Sequence, residues 1–574
     1  MAAKPFESRI QDLIYNVDVG IGLALMKVGL YLFFVLITIL LYTATQFLGL
    51  KEPAAMDAAQ LGRNLATHHR FITQNIRPAS LWYLSRNNPA GGLRMDRHPD
   101  IVNAPLWPAV LGAAFKVAGT SFAAEKPSAV FPPEQWVIVP LGHFFTLLTG
   151  LVLFFFGRRL FDRRVALLGV TLYFLSDTVW RNSISGLGLS LLAFLVVTAF
   201  YLAYLATGYQ TEEGRPRGKA LLLLAGSAVL CILAFHTRYA AAVFAPALMV
   251  YIGLSFRKKG WTWAAAFLLI FLLGITPWLV RNAMVCGNPL GLAGHLALNG
   301  TDSFAANGFD RALKPSLELD KVFRDLQTKW MGGLARFYRQ DLWETGDSLL
   351  FGLFMAALFF RFVNSAAHRL RWCLVLGIGL LWPVAALFGE ETSRLLTVCW
   401  PIVLLFGLAF FFVLLDRLQL QARLFELALI VALAVTSALP LAFALLPPRA
   451  GPPYPPYFPP YIMHVTRMLT PDEMICSDMS WATAWYGDRA SLLLPSELDS
   501  FYEINDYHRR IYGLYFTTIT RDKPFVSGLV TGPERTWYPI LEGRIPNDFP
   551  LNQGFPINNM DQLFLTDRER WNRR

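Results

Sequence analysis

Apolar runs of about twenty residues recur along the chain, separated by short charged segments. A bilayer core about 30 Å thick needs about 20 apolar residues per helical span. In lipid, only helices or closed barrels satisfy every backbone N–H and C=O. Runs this long and continuous predict helices. About eleven spans are expected, at 27–49, 136–157, 165–180, 186–206, 220–236, 240–256, 261–280, 346–363, 372–389, 395–415 and 424–446. The apolar segment 103–122 opens with prolines and reads as an interfacial or re-entrant helix, with a twelfth span as the alternative.

The loops set an orientation. The basic stretches 158–164, 212–219, 257–259, 368–371 and 416–423 fall on one side in this count, which makes that side cytoplasmic. Residues 1–26 then form a cytoplasmic N-terminus, with span one as an uncleaved signal-anchor, and 27–446 the transmembrane domain. Its large outer loops are 50–135 and 281–345; the second contains an amphipathic stretch, 317–340, expected along the membrane surface. A proline-rich segment, 447–461, reads as a stiff extended linker. Beyond it, 462–574 reads as a small extracytoplasmic α/β domain, with strands at "EMICSD" and "ASLLLP" and a helix over "SELDSFYEINDYHRRIYG". The expected fold class is thus an α-helical polytopic membrane protein with a small α/β C-terminal domain. No internal repeat is visible.

Composition agrees. Of 574 residues, 55% are hydrophobic and only 16% charged, against about 25% in soluble proteins. The net charge of +11 would suggest nucleic acid in a soluble protein. Here it reads as positive-inside bias and attraction to anionic membrane lipids, with no nucleic-acid partner. The five cysteines show no metal-like or paired spacing.

Ionisable groups near the hydrocarbon mark candidate chemistry. Arg181, Arg238, Arg281 and Arg394 sit at outer span ends, where the positive-inside bias should leave few. Guanidinium matches phosphate geometry, so as a set they suggest an anion site; singly, each reads as snorkelling to a headgroup. Asp57, Asp177, Glu390 and Glu391 lie on the same side. A carboxylate on an apolar floor can serve as a general base, although ion pairing with the arginines accounts for Asp177 and the two glutamates. His68, His69 and His98 share the first outer loop with Asp57, Asp96 and Asp100, but adjacent histidines do not easily face one ion.

Several stretches together resemble the GT-C superfamily of membrane glycosyltransferases, in particular bacterial relatives of protein mannosyltransferases and the lipid A aminoarabinose transferases. They are "MDAAQLGRNLATHHRF" (56–71), "NAPLWPAVLGAAFKVAG" (103–119), "HTRYAAAVFAPAL" (236–248), "TPWLVRNAMVCGNPLG" (276–291), "SRLLTVCWPIVLL" (393–405) and "ICSDMSWATAWYGDRASLLLP" (475–495). The resemblance implies transfer of a sugar from a polyprenyl-phosphate carrier to a lipid, glycan or protein acceptor at the outer face of a bacterial plasma membrane. Asp57 matches the acidic residue thought to act there as catalytic base, the arginines would hold the donor phosphate, and Asp177, Glu390 and Glu391 are candidates for a second carboxylate. Many relatives carry that second acid at the start of the fourth span, where this chain reads "SISGLGLSLLAFL" (183–195). No metal ligand is assigned, although a divalent metal is left open. A transporter or flippase, or a non-catalytic scaffold, are the alternative readings; the missing repeat argues against the transporter.

Overall fold

The computed structural model describes residues 21–87, 95, 97–122, 129–210, 218–256, 258–341, 346–388, 394–419, 423–447, 451, 453–521, 526–532, 535–557 and 561–571. Among them, eight helices are long and apolar enough to cross a bilayer: Gly22–Gln46, Glu134–Leu160, Leu189–Thr207, Gly218–Thr237, Gly260–Cys286, Ser365–Phe388, Arg394–Arg417 and Arg423–Leu445. Each coincides with a predicted span, and the chain is a multi-pass membrane protein.

The other three predicted spans are shorter helices. The run at 165–180 breaks at Ser176, where a helix of 12 residues, Arg163–Phe174, gives way to Asp177–Ile184. Twelve residues rise only about 18 Å. The run at 346–363 keeps 10 helical residues, Ser348–Ala357, and the run at 240–256 becomes the short apolar helix Tyr239–Ser255. Ser348–Ala357 packs tightly on the long helix Trp400–Arg417: a Cβ added at Gly407 would lie 2.6 Å from the Leu350 carbonyl oxygen.

The segment expected at the interface is helix Leu106–Val117, laid against Pro53–His68. The two cross at Gly62 and Gly112. A Cβ at Gly112 would stand 2.9 Å from the Gly62 carbonyl oxygen, and one at Gly62 would stand 2.8 Å from Leu111 Cβ. Alanine at either site would push the helices apart. The amphipathic stretch forms helix Leu319–Arg336, with no buried residue and with Leu319, Phe323 and Met331 exposed.

At one end of the bundle stands a six-stranded sheet: β1 (Asn75–Ile76), β2 (Met474–Ser477), β3 (Ser491–Leu493), β4 (Ile511–Phe516), β5 (Gln553–Ile557) and β6 (Gln562–Thr566), in the order β1-β3-β2-β4-β6-β5. β1, β3, β2 and β4 run parallel; β6 and β5 are antiparallel. Both strands expected in the tail are β2 and β3. The helix expected over 496–513 stops at Tyr507, and Ile511 onward enters β4. That run, "IYGLYF", is the aromatic and β-branched type that suits a half-buried pleat.

Two expectations about the tail change. Across 447–461 the described chain is folded rather than an extended spacer. Tyr457 N–H donates to Pro453 O (2.8 Å), helix Pro459–Arg467 opens on prolines, and the buried Tyr457 hydroxyl accepts from Trp481 Nε1 (3.0 Å). Nor is the sheet built from 462–574 alone. β1 comes from the loop after the first span, Ser491 N–H donating to Gln74 O (2.8 Å), and Ile76, Leu81 and Leu313 join the core of the sheet.

Arg63 locks this junction. It is buried and donates to the Trp485 and Ala484 carbonyls (2.9 and 2.8 Å) near the end of helix Ser480–Gly487, and to Gln74 Oε1 (2.5 Å). Its guanidinium also pairs with Asp488 at 2.9 Å. A cation there meets the negative end of the helix dipole. Arg63→Met should cost about 3 kcal/mol, because it strands buried acceptors. Thermal unfolding of the detergent-purified protein checks this; an unchanged midpoint would show the junction held by other contacts.

Candidate active site

Asp57 sits one turn into helix Pro53–His68, which starts on Pro53, a residue that suits the first helical position. It is 1% exposed, and both its oxygens are held. Oδ1 accepts from Gln60 Nε2 (3.2 Å) and Asn75 Nδ2 (3.0 Å). Oδ2 accepts from Arg77 (2.8 Å) and Asn103 Nδ2 (2.9 Å). Four donors thus fill the lone pairs of one buried carboxylate.

The oxygens differ in what they face. A cavity of about 620 Å³ is lined by Asp57 together with Arg77, Asn103, Trp107, Arg238, Asp310, Lys329 and Trp481. Arg77 and Asn103, the donors to Oδ2, are on its wall; Gln60 and Asn75, the donors to Oδ1, are behind it. Oδ2 is therefore the oxygen on the cavity side, and Oδ1 the anchored one.

Arg77 is the hub of the charges. It touches Asp57 at 2.8 Å and Asp310 at 3.8 Å. Burial draws its guanidinium pKa down, but Asp57, Asp310 and Asp100 more than offset this and hold it above the ordinary value. Burial raises Asp310, with Arg77 opposing. It raises Asp100 too, reinforced by Asp57, while Asp100 Oδ1 accepts from Val102 N–H and Asn103 N–H (3.1 and 2.7 Å). Lys329 donates to the Ala297 carbonyl (2.7 Å) and that of Asn299, and burial, with Arg336 adding, lowers it to about 8.

The four arginines named from sequence do not form one ring. Arg238 lines the cavity and reaches the Leu187 carbonyl at 3.4 Å. Arg281 donates to the Asp100 carbonyl (2.6 Å) and stacks on Trp278, its Cζ 4.9 Å from the ring centroid. Arg181 pairs with Asp177, and Arg394 with Glu52 at 2.6 Å. Asp177 accepts from Tyr42 (2.8 Å) and does not line the cavity. Glu390, Glu391 and Asp96 lie outside the described residues. In "SISGLGLSLLAFL", Gly188 takes a φ of +73° against Trp107, whose indole donates to Gly186 O (2.8 Å).

His98 is buried beside Ser80 Oγ (2.8 Å), and burial with Arg77 pushes it down to about 3, so it is neutral. His68 and His69 are exposed at the other end of the Asp57 helix. Among the described residues no group of His, Cys, Asp or Glu is set to hold a metal. The donors at Asp57 do not fit one either: a cation at its oxygens would meet the N–H groups of Arg77, Asn103, Asn75 and Gln60.

Arg77 and Lys329 were missed in the sequence. A buried acid calls for a cation, yet nothing in "QNIRPAS" singles out Arg77 from the loop's other arginines. Lys329 lies on an amphipathic helix, where a lysine reads as solvated.

By sequence, neither a family model nor any curated protein matches the chain. By structure, it superposes on the oligosaccharyltransferase AglB of Archaeoglobus fulgidus, in complex with an inhibitory peptide and a dolichol-phosphate, with TM-score 0.56 and 11% identity over 96% of this chain and 75% of that one. It also superposes on ArnT of Cupriavidus metallidurans, with TM-score 0.55 and 12% identity in the apo state (95% and 98% covered) and with TM-score 0.54 and 13% identity when bound to undecaprenyl phosphate (94% and 98%). This chain has the GT-C fold. At such identity the likeness establishes architecture, from the helix bundle to the C-terminal α/β part of the GT-C fold.

Removing the hub should unbalance this GT-C cavity. Arg77→Met leaves buried carboxylates uncompensated, at a cost of about 3–5 kcal/mol. The sign with pH follows: those carboxyls bind protons more tightly in the folded variant than in the unfolded chain, so stability is lost as pH rises and returns as it falls. Thermal midpoints of Arg77→Met should lie furthest below wild type at neutral pH and converge toward pH about 5. A deficit independent of pH would contradict the charge balance.

Proposed function

We propose that this protein is a glycosyltransferase. It moves a sugar from a polyprenyl-phosphate donor to an acceptor hydroxyl at the sheet-bearing face of the membrane, the periplasmic face of a bacterial inner membrane. The observation that carries this reading is the buried Asp57 carboxylate on a cavity whose wall also bears Arg238 and Lys329. The lipid phosphates bound to the two fold neighbours support a lipid-phosphate ligand for the same architecture.

In this reading the acceptor O–H meets Oδ2 of Asp57, displacing one of its cavity-side donors. Asp57 takes the proton as the acceptor oxygen bonds to the anomeric carbon. The bond from that carbon to the phosphate oxygen breaks, and its electron pair leaves with the lipid phosphate. The transition state is oxocarbenium-like. Attack opposite the leaving group inverts the anomeric centre. Arg238 and Lys329 stabilise the departing phosphate, as fixed cations in a dry site do well. Of the arginines assigned to the phosphate, Arg238 is retained for that role; Arg181, Arg281 and Arg394 are engaged with Asp177, the Asp100 carbonyl and Glu52.

Transfer from radiolabelled undecaprenyl-phosphate glucose, mannose and galactose to membrane acceptors tests the reading. Asp57→Asn keeps the size but cannot accept the proton, so transfer should fall at least about a hundredfold. Equal transfer by both proteins would remove Asp57 from the mechanism. Lys329 adds a pH signature. It loses its charge as pH rises through about 8, whereas arginine keeps it. Undecaprenyl phosphate affinity of the wild type should therefore fall relative to Lys329→Arg across that range. Parallel profiles would place the phosphate elsewhere.

A further inference from the structure

The anchored oxygen of Asp57 is held from the far end of the chain. Asn75 Nδ2 donates to Asp57 Oδ1 at 3.0 Å, and Asn75 Oδ1 accepts from Ser480 Oγ at 2.6 Å. Asp57, Asn75 and Ser480 are 1%, 1% and 0% exposed, so water does not replace either bond. Ser480 opens helix Ser480–Gly487, whose later carbonyls Arg63 grips.

An amide side chain has a donor end and an acceptor end of nearly equal shape. Facing a carboxylate, Asn75 must present its NH₂. Its oxygen then points away, into a buried site where it needs a donor, and the Ser480 hydroxyl is that donor. The other direct donors to Asp57 are themselves bonded to residues that precede the tail. Gln60 is held by Thr73, Asn64 and Gln74, Asn103 by Asp100, and Arg77 pairs with Asp310. Only the Asn75 arm among them is completed by a residue that follows the last span.

We infer that Ser480 and Asn75 are positioning residues that make the C-terminal α/β segment part of the catalytic apparatus, setting the orientation of the Asp57 carboxylate; this rests on the reading of Asp57 as general base. The tail then does more than cover the cavity. With the relay intact, Oδ1 is fixed and Oδ2 is aimed at the acceptor. Without the Ser480 hydroxyl, Asn75 has no partner for its oxygen and the amide turns or withdraws. Misplacement of a base is a defect in turnover rather than in donor binding.

The test uses the full-length protein in lipid nanodiscs with whichever undecaprenyl-phosphate [¹⁴C]hexose the wild type turns over. Ser480→Ala should lower kcat about tenfold, with donor KM within about twofold of wild type. Ser480→Thr, which keeps the hydroxyl, should recover most of the rate. In an Asn75→Ala background, Ser480→Ala should have no further effect, because the two act through one path. Undecaprenyl phosphate should raise the thermal midpoint of Ser480→Ala as much as that of wild type. Should Ser480→Ala not survive purification, Ser480→Cys, with its weaker S–H donor, carries the same comparison.

Wild-type kcat in Ser480→Ala overturns the inference. So does a multiplicative double variant, or a loss that Ser480→Thr does not relieve. The underlying reading fails separately: Asp57→Asn would then turn over like wild type. If Asp57→Asn is inactive and Ser480→Ala is normal, only the relay falls.

Discussion

The pairing of β1 with β3 is the constraint on which the site depends. Two residues of the loop after the first span, Asn75 and Ile76, run beside Ser491 and Leu492 from the far end of the chain. This short contact could not hold alone. It is backed by Arg63, which caps helix Ser480–Gly487 from the Asp57 helix, and by the core that Ile76, Leu81 and Leu313 share with the sheet. Together these bring helix Pro53–His68 against the sheet and close the cavity with Trp481 and Leu493 from the tail.

Within that frame, charge decides the details. Three carboxylates, Asp57, Asp100 and Asp310, crowd one guanidinium, Arg77, in a buried setting. Such a cluster is costly unless its lone pairs are filled, and Asp57 and Asp100 have theirs filled mainly by amides and backbone N–H groups. Each contact restricts the next: Oδ1 is held from behind the cavity wall by Gln60 and Asn75, and Oδ2 by Arg77 and Asn103, which line the cavity. Arg238 and Lys329, which hydrogen-bond backbone carbonyls rather than a carboxylate there, lie on that wall.

The membrane character of the chain was legible in its sequence because a bilayer imposes a length on every span. Eight long helices fall where the apolar runs predict them. The shorter helices in the runs at 165–180, 240–256 and 346–363 escaped because hydropathy averages over a run and does not show where the backbone breaks, as it does at Ser176. The strands at 474–477 and 491–493 were visible as apolar runs. β1 was not, being two residues long and defined only by its distant partner. Asp57 stood out as an acid just past a span. Its partners did not, since nothing in the sequence sets Asn75, Arg77 and Ser480 apart until the fold joins them.

The most direct test of the account is a cryo-electron-microscopy structure with undecaprenyl phosphate. The account predicts the phosphate inside the cavity, contacting Arg238 and Lys329 on the Oδ2 side of Asp57, with the polyprenyl chain leading out toward the lipid. A phosphate bound at Arg181 and Arg394, away from an empty cavity, would contradict it.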